Sequence, residues 1–600
     1  MLNYLVIYVN GCPLRKSITY LLFLLLPLCS NAQYYLRGEV KDNKNKPLPY
    51  AKIFLHSLRM NYYSGAGSAT FGINSRLQYD SLTISLEGYE TKTIRVKTDQ
   101  WQTILLKPTI DAVSKSRTKL ISYTKDHSHL SFKNWYAGDE TYFQLVENVV
   151  VDAKSSPHTG YSLNVNKAAY SNVRRFINMG SEAPVDAVRT EELINYFNLD
   201  YQAPGHDSIF RINTKLSSCP WNEKNDLLFI NVSAKQLDLN NVPPGNFVFL
   251  IDVSGSMDMP NRLPLLKAAF QLFVKNLRPV DTVSIVTYGG FIQVWLDPTS
   301  GGEKEKILKS IESLEAAGDT PGASAIKIAY QLARKRFIKG GNNRVILATD
   351  GDFNVGETSE KALDELITKQ RQSGVYLTCL GVGMGNLKDS KLQTLAKNGN
   401  GNYAYLDEIQ EAERVLVKEL TQTFYTVADD AFMSIHMNPD MVKSYRLIGF
   451  DNKKEALSDS TNLLEGGEIG SGAGVMAILE ITATEKMQQQ KKSSQNINLA
   501  NLELKYTQYQ DSISNLIPYK IQIPYQSFDS IENAYKLASA VSMFGQKIRN
   551  SNYAPGLSWN TIKKLVKSSI DPNIYIQKEF LVLVEKSAKI YGRRKKESNR

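Results

Sequence analysis

Histidine and cysteine are scarce: the 600 residues hold six of one and four of the other. No H-x-x-E or H-E-x-x-H occurs, so no helical pair is present to hold a catalytic zinc. No G-x-S-x-G sets a serine on a nucleophile elbow. Beyond the N-terminal leader only Cys219 and Cys379 remain, in separate segments, which gives no disulfide framework. Cys379 lies in the apolar run Val375 to Leu380, where a thiol behaves as a small hydrophobe. After the leader no stretch reaches 18 apolar residues, so no membrane-spanning helix is expected. Long stretches of one charge are missing too. The net charge is +11, but the excess is spread over Lys115 to Lys133, Lys486 to Lys492 and Arg593 to Lys596. No zinc finger, RNP motif or aromatic–basic alternation accompanies it, which argues against nucleic acid as a partner. A peripheral contact with an anionic envelope surface stays open.

What is present is an ordinary globular composition, 42% hydrophobic and 22% charged, long enough for roughly three to five domains. Residues 1–32 read as a signal peptide: Arg15-Lys16, an apolar core from Ile18 to Leu28, and Ser30-Asn31-Ala32 before Gln33. The expectation is export, to the periplasm, the cell surface or the medium. Cys29 offers a lipoprotein alternative, which is disfavoured because Leu28 stands where a small residue should precede the cysteine. Residues 33–108 are strand-like, with turns at Asn43 to Pro47 and Ser64 to Gly67, and predict a small β-sandwich. Residues 109–140 read as a polar linker, where His127 and His129 lack a third ligand nearby.

The chain is organised around Asp252-Val253-Ser254-Gly255-Ser256. It follows the run Phe247 to Ile251, which reads as a fully buried strand. An acid and two hydroxyls at i, i+2 and i+4 point the same way in extended backbone. Hard oxygen ligands of low total charge suit Mg²⁺ first, with Mn²⁺ or Ca²⁺ as alternatives, rather than zinc. Thr320, in the turn Gly318 to Gly322, and Asp350, at the end of the run Val345 to Thr349, fit the same site. In an open parallel sheet, ligands collect beyond the carboxyl ends of strands where the strand order reverses.

These five residues resemble the metal-ion-dependent adhesion site of von Willebrand factor type A domains, D-x-S-x-S … T … D. The resemblance implies that Asp252, Ser254, Ser256, Thr320 and Asp350 hold a divalent cation, the hydroxyls directly and the aspartates largely through water. The acidic side chain of a protein partner then completes the shell. Asp319 replaces a small residue usual in relatives; it either strengthens the site or is an exposed turn residue. Asp352 is left outside the cation's immediate shell.

Alternating helices and strands predict a doubly wound, Rossmann-like α/β domain over 246–430, with helices at Arg262 to Leu277, Glu303 to Leu314, Gly322 to Ile338 and Ser359 to Ser373. Strands are expected at Asp281 to Tyr288 and, shorter, at Gln293 to Leu296. The glycines of Gly381 to Gly385 lack dinucleotide-loop spacing and read as a turn.

Gly38 to Asp42, Pro47 to Ala51 and Glu87 to Glu90 resemble the carboxypeptidase-regulatory-like domain of secreted bacterial proteins, which has no peptidase activity. Residues 141–245 and 431–525 resemble the flanking regions of one group of bacterial von Willebrand proteins, through Tyr170 to Phe176, Asp186 to Phe197 and Tyr445 to Phe450. Asn164, Asn166 and Lys167 depart from that group's acids and threonine, and Ala473 from a histidine.

Leu227 to Val232 and Ala477 to Ile481 are expected to share one sheet, with the A domain inserted between them. Thr484 to Asn498 reads as a disordered loop. Residues 526–592 read as helical, from Ala534 to Ile548 and Ile576 to Ile590, before a basic tail at 593–600.

The expected architecture is therefore multidomain: a β-sandwich, α+β flanking regions and a doubly wound A domain. The expected function is cation-dependent protein binding; the alternative is an envelope assembly protein whose cation only fastens loops. Catalysis by Ser254 or Ser256 lacks a base, since none of the six histidines falls in 246–430.

Overall fold

A strand buried on one face alternates in the sequence, and a strand buried on both does not; both kinds occur here. In the computed structural model the described residues are 34–43, 45–48, 51–57, 60–64, 69–75, 77–86, 89–107, 140–199, 201–205, 208–238, 242–289, 291–316, 322–351, 367–371, 373–450, 466–493, 495–508 and 513–597. The leader with Cys29, the linker histidines His127 and His129, Asp319, Thr320, Asp352 and most of the helix expected at Ser359 to Ser373 lie outside them.

The chain divides into two units, Met1–Ile121 and Ser122–Arg600. The first carries a three-stranded and a four-stranded sheet. Leu36 and Val40 alternate inward along Tyr34–Asp42 and meet Ile53, Leu82 and Ile104 in one core, as a β-sandwich requires.

In the second unit a six-stranded sheet runs in the order Phe291–Ser300, Thr282–Gly289, Gly245–Asp252, Asn342–Thr349, Tyr376–Val382, Tyr403–Leu406. All pairs are parallel except the first, an antiparallel edge. Gly245–Asp252 is buried at every residue. Phe247, Phe249 and Ile251 face one core and Val248 and Leu250 the other, so helices cover both faces of the sheet. The chain leaves this strand toward Thr282–Gly289 on one side and returns at Asn342–Thr349 on the other. Its carboxyl end is therefore the switch point of the sheet. The edge strand is longer than expected, Phe291–Ser300, because irregular pairing lets it follow Thr282–Gly289 around Asp297-Pro298.

The flanking regions form one body around this sheet. Asp226–Ala234, which precedes the A domain, pairs antiparallel with Gly474–Ala483, which follows it, with Leu228 opposite Leu479 and Ile230 opposite Ala477. The expected shared sheet is present. The strand Thr426–Met437 crosses residue 430 and pairs outside the A-domain sheet, with Ile497–Gln508, Gly467–Gly470 and His158–Ser162. Its Met433 and Ile435 pack on Leu228 and Ile230 across a common core.

A second expectation is corrected. Thr484 to Asn498 is not a disordered loop but the helix Glu485–Lys492 followed by the start of the strand Ile497–Gln508. Thr484 caps the helix by accepting from the Met487 N–H; Glu485 sits in its first turn and Lys491 and Lys492 in its last. The C-terminal region also gains the helix Trp559–Ser569, capped by Ser558, and its last helix runs Tyr575–Glu597, through the basic stretch.

Candidate functional site

Asp252 ends the central strand and is fully buried. Its Oδ1 accepts from the Ser254 N–H at 2.9 Å and its Oδ2 from the Thr349 hydroxyl at 2.8 Å. The acid thus ties its own turn to the neighbouring strand. Ser254 Oγ lies 3.2 Å from Ser256 Oγ, and the Ser256 hydroxyl donates to Asp350 Oδ2 at 2.8 Å. Four of the five expected residues, Asp252, Ser254, Ser256 and Asp350, therefore meet at one point; Thr320 lies outside the described residues.

Sequence reasoning missed Arg262, which is buried, its side chain 7% exposed. It was legible only as the start of a helix. Its Nη1 donates to Asp350 Oδ2 at 2.6 Å and to the Ser256 carbonyl at 2.7 Å. Its Nη2 donates to Asn386 Oδ1 at 2.8 Å and to the Met384 carbonyl at 3.0 Å. Asn386 in turn donates to Asp350 Oδ2 at 3.0 Å. Asp350 Oδ2 is thus heavily used, and its charge is matched by a guanidinium. Among the described residues Asp252 has no such partner: burial, then the Asp350 charge, push its pKa up to about 7. The net charge of this pocket is low, and the atoms it offers an ion are hydroxyl and carboxyl oxygens. That set fits a hard divalent ion, which would relieve the repulsion at Asp252. Among the described residues no group of three or more His, Cys, Asp or Glu side chains converges, so hydroxyls are needed to complete a centre.

Glycine keeps the turn in place. A Cβ on Gly289 would sit 2.6 Å from the Val253 carbonyl carbon and 2.7 Å from the Ser254 nitrogen. Gly289→Ala is expected to displace the Asp252–Ser254 turn and cost about 1–3 kcal/mol. A thermal melt with and without Mg²⁺ checks it, the expected result being a lower midpoint and a smaller Mg²⁺ response.

The loop after Tyr376–Val382 links this pocket to the flank. Gly385 N–H donates to Glu140 Oε1 at 2.6 Å, and Glu140 is held by Arg175 at 2.7 and 2.8 Å. Tyr405 donates to the Gly383 carbonyl at 2.6 Å. The glycines of Gly381 to Gly385 make a turn, as expected, with φ of 78° at Gly383 and 88° at Gly385. Of the departures from the flanking pattern, Lys167 pairs with Glu419 at 2.9 Å and Asn166 accepts from the Tyr403 N–H at 2.9 Å. Both hold the flank to the A domain.

Comparisons with known proteins bear on the family. Family models match residues 246–420 as von Willebrand factor type A domain, 136–229 as von Willebrand factor, and 422–590 as the C-terminal region of uncharacterized protein YfbK. Uncharacterized protein YfbK of Escherichia coli K12 is 37% identical over 469 residues, 75% of this chain and 81% of that protein. Human inter-alpha-trypsin inhibitor heavy chain H4 is 30% identical over 167 residues, 26% of this chain and only 18% of its own length. A solved von Willebrand factor type A structure from Catenulispora acidiphila covers 62% of this chain and 88% of its own, at 15% identity and a TM-score of 0.37. With 37% identity over 469 aligned residues that span 81% of YfbK, and the A-domain model matched at its centre, the chain belongs to the von Willebrand factor type A proteins, in the group that includes YfbK.

Proposed function

We propose that the chain is an exported binding protein that captures an acidic group of a protein partner through a divalent cation, Mg²⁺ in the first instance. Asp252, Ser254, Ser256, Thr320 and Asp350 would hold the ion. Bound there, the ion supplies an electrophilic coordination position that a partner's carboxylate can fill. The observation that supports this reading is that Ser256 Oγ lies 3.2 Å from Ser254 Oγ and 2.8 Å from Asp350 Oδ2 at the switch point of the sheet, beside a buried Asp252. The chain's own residues set the terms. Arg262 fixes Asp350 in place, Thr349 orients Asp252, and low net charge would leave a bound ion in need of an outside acid. The flanking body and the N-terminal β-sandwich, which resembles the carboxypeptidase-regulatory-like module, would hold and space the domain at the envelope.

The test is capture from an envelope extract with wild type and Asp252→Ala, each in Mg²⁺ and in EDTA. The expected result is partner recovered by wild type in Mg²⁺ alone. Equal capture in all four arms sinks the reading. Capture unaffected by EDTA, together with a lowered melting temperature, assigns the ion the narrower role of fastening loops.

A further inference from the structure

Two of the six histidines meet outside the A domain. His158, in the strand His158–Ser162, and His436, in Thr426–Met437, are register partners in an antiparallel pair. Directly opposed residues have Cβ atoms about 4.5–5.5 Å apart, close enough for both rings to reach one atom. The ring centroids are 4.3 Å apart at an interplanar angle of 65°. His436 Nδ1 stands 3.2 Å from both Nδ1 and Nε2 of His158. Equidistance from the two nitrogens directs His436 at the carbon between them, which is poor geometry for a single N–H···N hydrogen bond. Two nitrogens bound at about 2.0–2.1 Å to one tetrahedral or octahedral ion lie about 2.9–3.4 Å apart. The separation in the chain falls inside that interval.

We propose that His158 and His436 form a two-point site for a borderline transition-metal ion, Zn²⁺, Ni²⁺ or Cu²⁺, with solvent filling the remaining positions. Imidazole nitrogen suits these ions and not Mg²⁺, so this site and the oxygen cage at Asp252 select different metals. Both rings are exposed, which leaves the pair open to an ion and lets each ring turn to aim a lone pair. Partial burial and the neighbouring ring lower the His158 pKa, which favours the uncharged imidazole that ligates. No third His, Cys, Asp or Glu joins them among the described residues. The site is therefore open and reversible rather than a closed structural centre.

The position gives the ion something to do. His158 precedes the A domain in the chain and His436 follows it, 278 residues on. The strand carrying His158 has only five residues. An ion held by both rings staples that short strand to its neighbour, and so joins the two segments that bracket the inserted domain.

The test uses the full chain carrying Asp252→Ala, which removes the oxygen site, alongside wild type saturated with Mg²⁺. Each is titrated with NiCl₂ and ZnCl₂ by calorimetry. The expected result is one equivalent bound in both proteins, weakened at least tenfold by His158→Ala and by His436→Ala. His56→Ala, an exposed histidine in the first unit, leaves binding unchanged. With Cu²⁺, electron paramagnetic resonance is expected to show coupling to two ring nitrogens in wild type and one in either single variant. An equivalent retained in both single variants, or no equivalent in Mg²⁺-saturated wild type, overturns the proposal.

Discussion

Asp252→Asn is expected to abolish the Mg²⁺-dependent rise in melting temperature and, in EDTA at pH 8, to leave the chain more stable than wild type. The two signs have one cause. Asp252 is fully buried at the end of the central strand, with Asp350 as a neighbour. The Arg262 guanidinium is bonded to Asp350. The folded-state pKa of Asp252 is pushed up to about 7, well above an unfolded aspartate. Between those two values the native state binds more protons than the unfolded state, so stability falls as pH rises from about 4 to 7, with the full penalty above 7. The size is on the order of 4 kcal/mol at about 1.4 kcal/mol per pKa unit. Asparagine removes the charge and keeps an acceptor for the Ser254 N–H. A bound cation offsets that penalty in wild type; its whole effect on stability is the binding linkage, about 2.7 kcal/mol at a hundredfold excess over Kd, because relief of the charge is already contained in Kd. Denaturant titration of both proteins at pH 5 and 8, in EDTA and in Mg²⁺, separates the contributions. A variant that melts below wild type at pH 8 in EDTA would show that the buried charge is already neutralised by something other than a cation.

The same pocket shows what a sequence can and cannot disclose. Ser254 and Ser256 are legible only as motif residues: the backbone leaves the strand at Asp252 and Gly255–Asp258 is a short 3-10 helix, not the extended run expected, whereas Asp252 is legible because the apolar run before it marks a buried strand. Asp350 is legible for the same reason at the next strand. Arg262 is not. A basic residue at the start of a helix has an ordinary solvated reading, and only the fold brings it within 2.6 Å of an acid 88 positions later. The shared sheet of Asp226–Ala234 and Gly474–Ala483 could be read because both are apolar on every residue that pairs at their centres. The helix Glu485–Lys492 was hidden by composition. Its Gln- and Lys-rich face carries one buried residue, Met487, so its stability rests on the Thr484 cap and end charges rather than an apolar stripe. Those cap signals were in the sequence and outweigh the compositional argument.

The A domain is also fastened to its flanks by buried charge, in a way its own motif does not announce. Arg174 of the helix Ala168–Asn178 bonds Asp407 at 2.5 and 2.8 Å and Glu411 at 3.1 Å, while Arg189 bonds Asp389 at 2.7 Å. Each pair crosses from flank to A domain. Such contacts fix the orientation of the domain in its carrier, and they make the flank a constituent of the loops that end near the pocket, through Gly385 and Asp389.

Glu468→Leu is expected to destabilise the chain by about 3–5 kcal/mol, and more than Arg344→Met does. Arg344 lies in the A-domain strand Asn342–Thr349, just before the apolar run, and is fully buried. Its Nη2 donates to Glu468 Oε1 at 2.7 Å and its Nη1 to the Thr378 hydroxyl at 2.8 Å. Glu468 belongs to Gly467–Gly470, in the sheet of the flank. Burial raises the Glu468 pKa to about 7 even though Arg344 opposes the shift. The asymmetry between the two variants follows from this. When Arg344 is lost, Glu468 can take a proton and escape as a neutral acid. When Glu468 is lost, Arg344 stays charged at any accessible pH and is buried without the carboxylate that bonded it. The double variant Arg344→Met with Glu468→Leu removes both charges and is expected to recover most of the loss. Urea titration of the four proteins measures the coupling. If the double variant is as unstable as Glu468→Leu alone, the deficit comes from lost packing between the sheets, and charge is not what joins the A domain to its flank at this position.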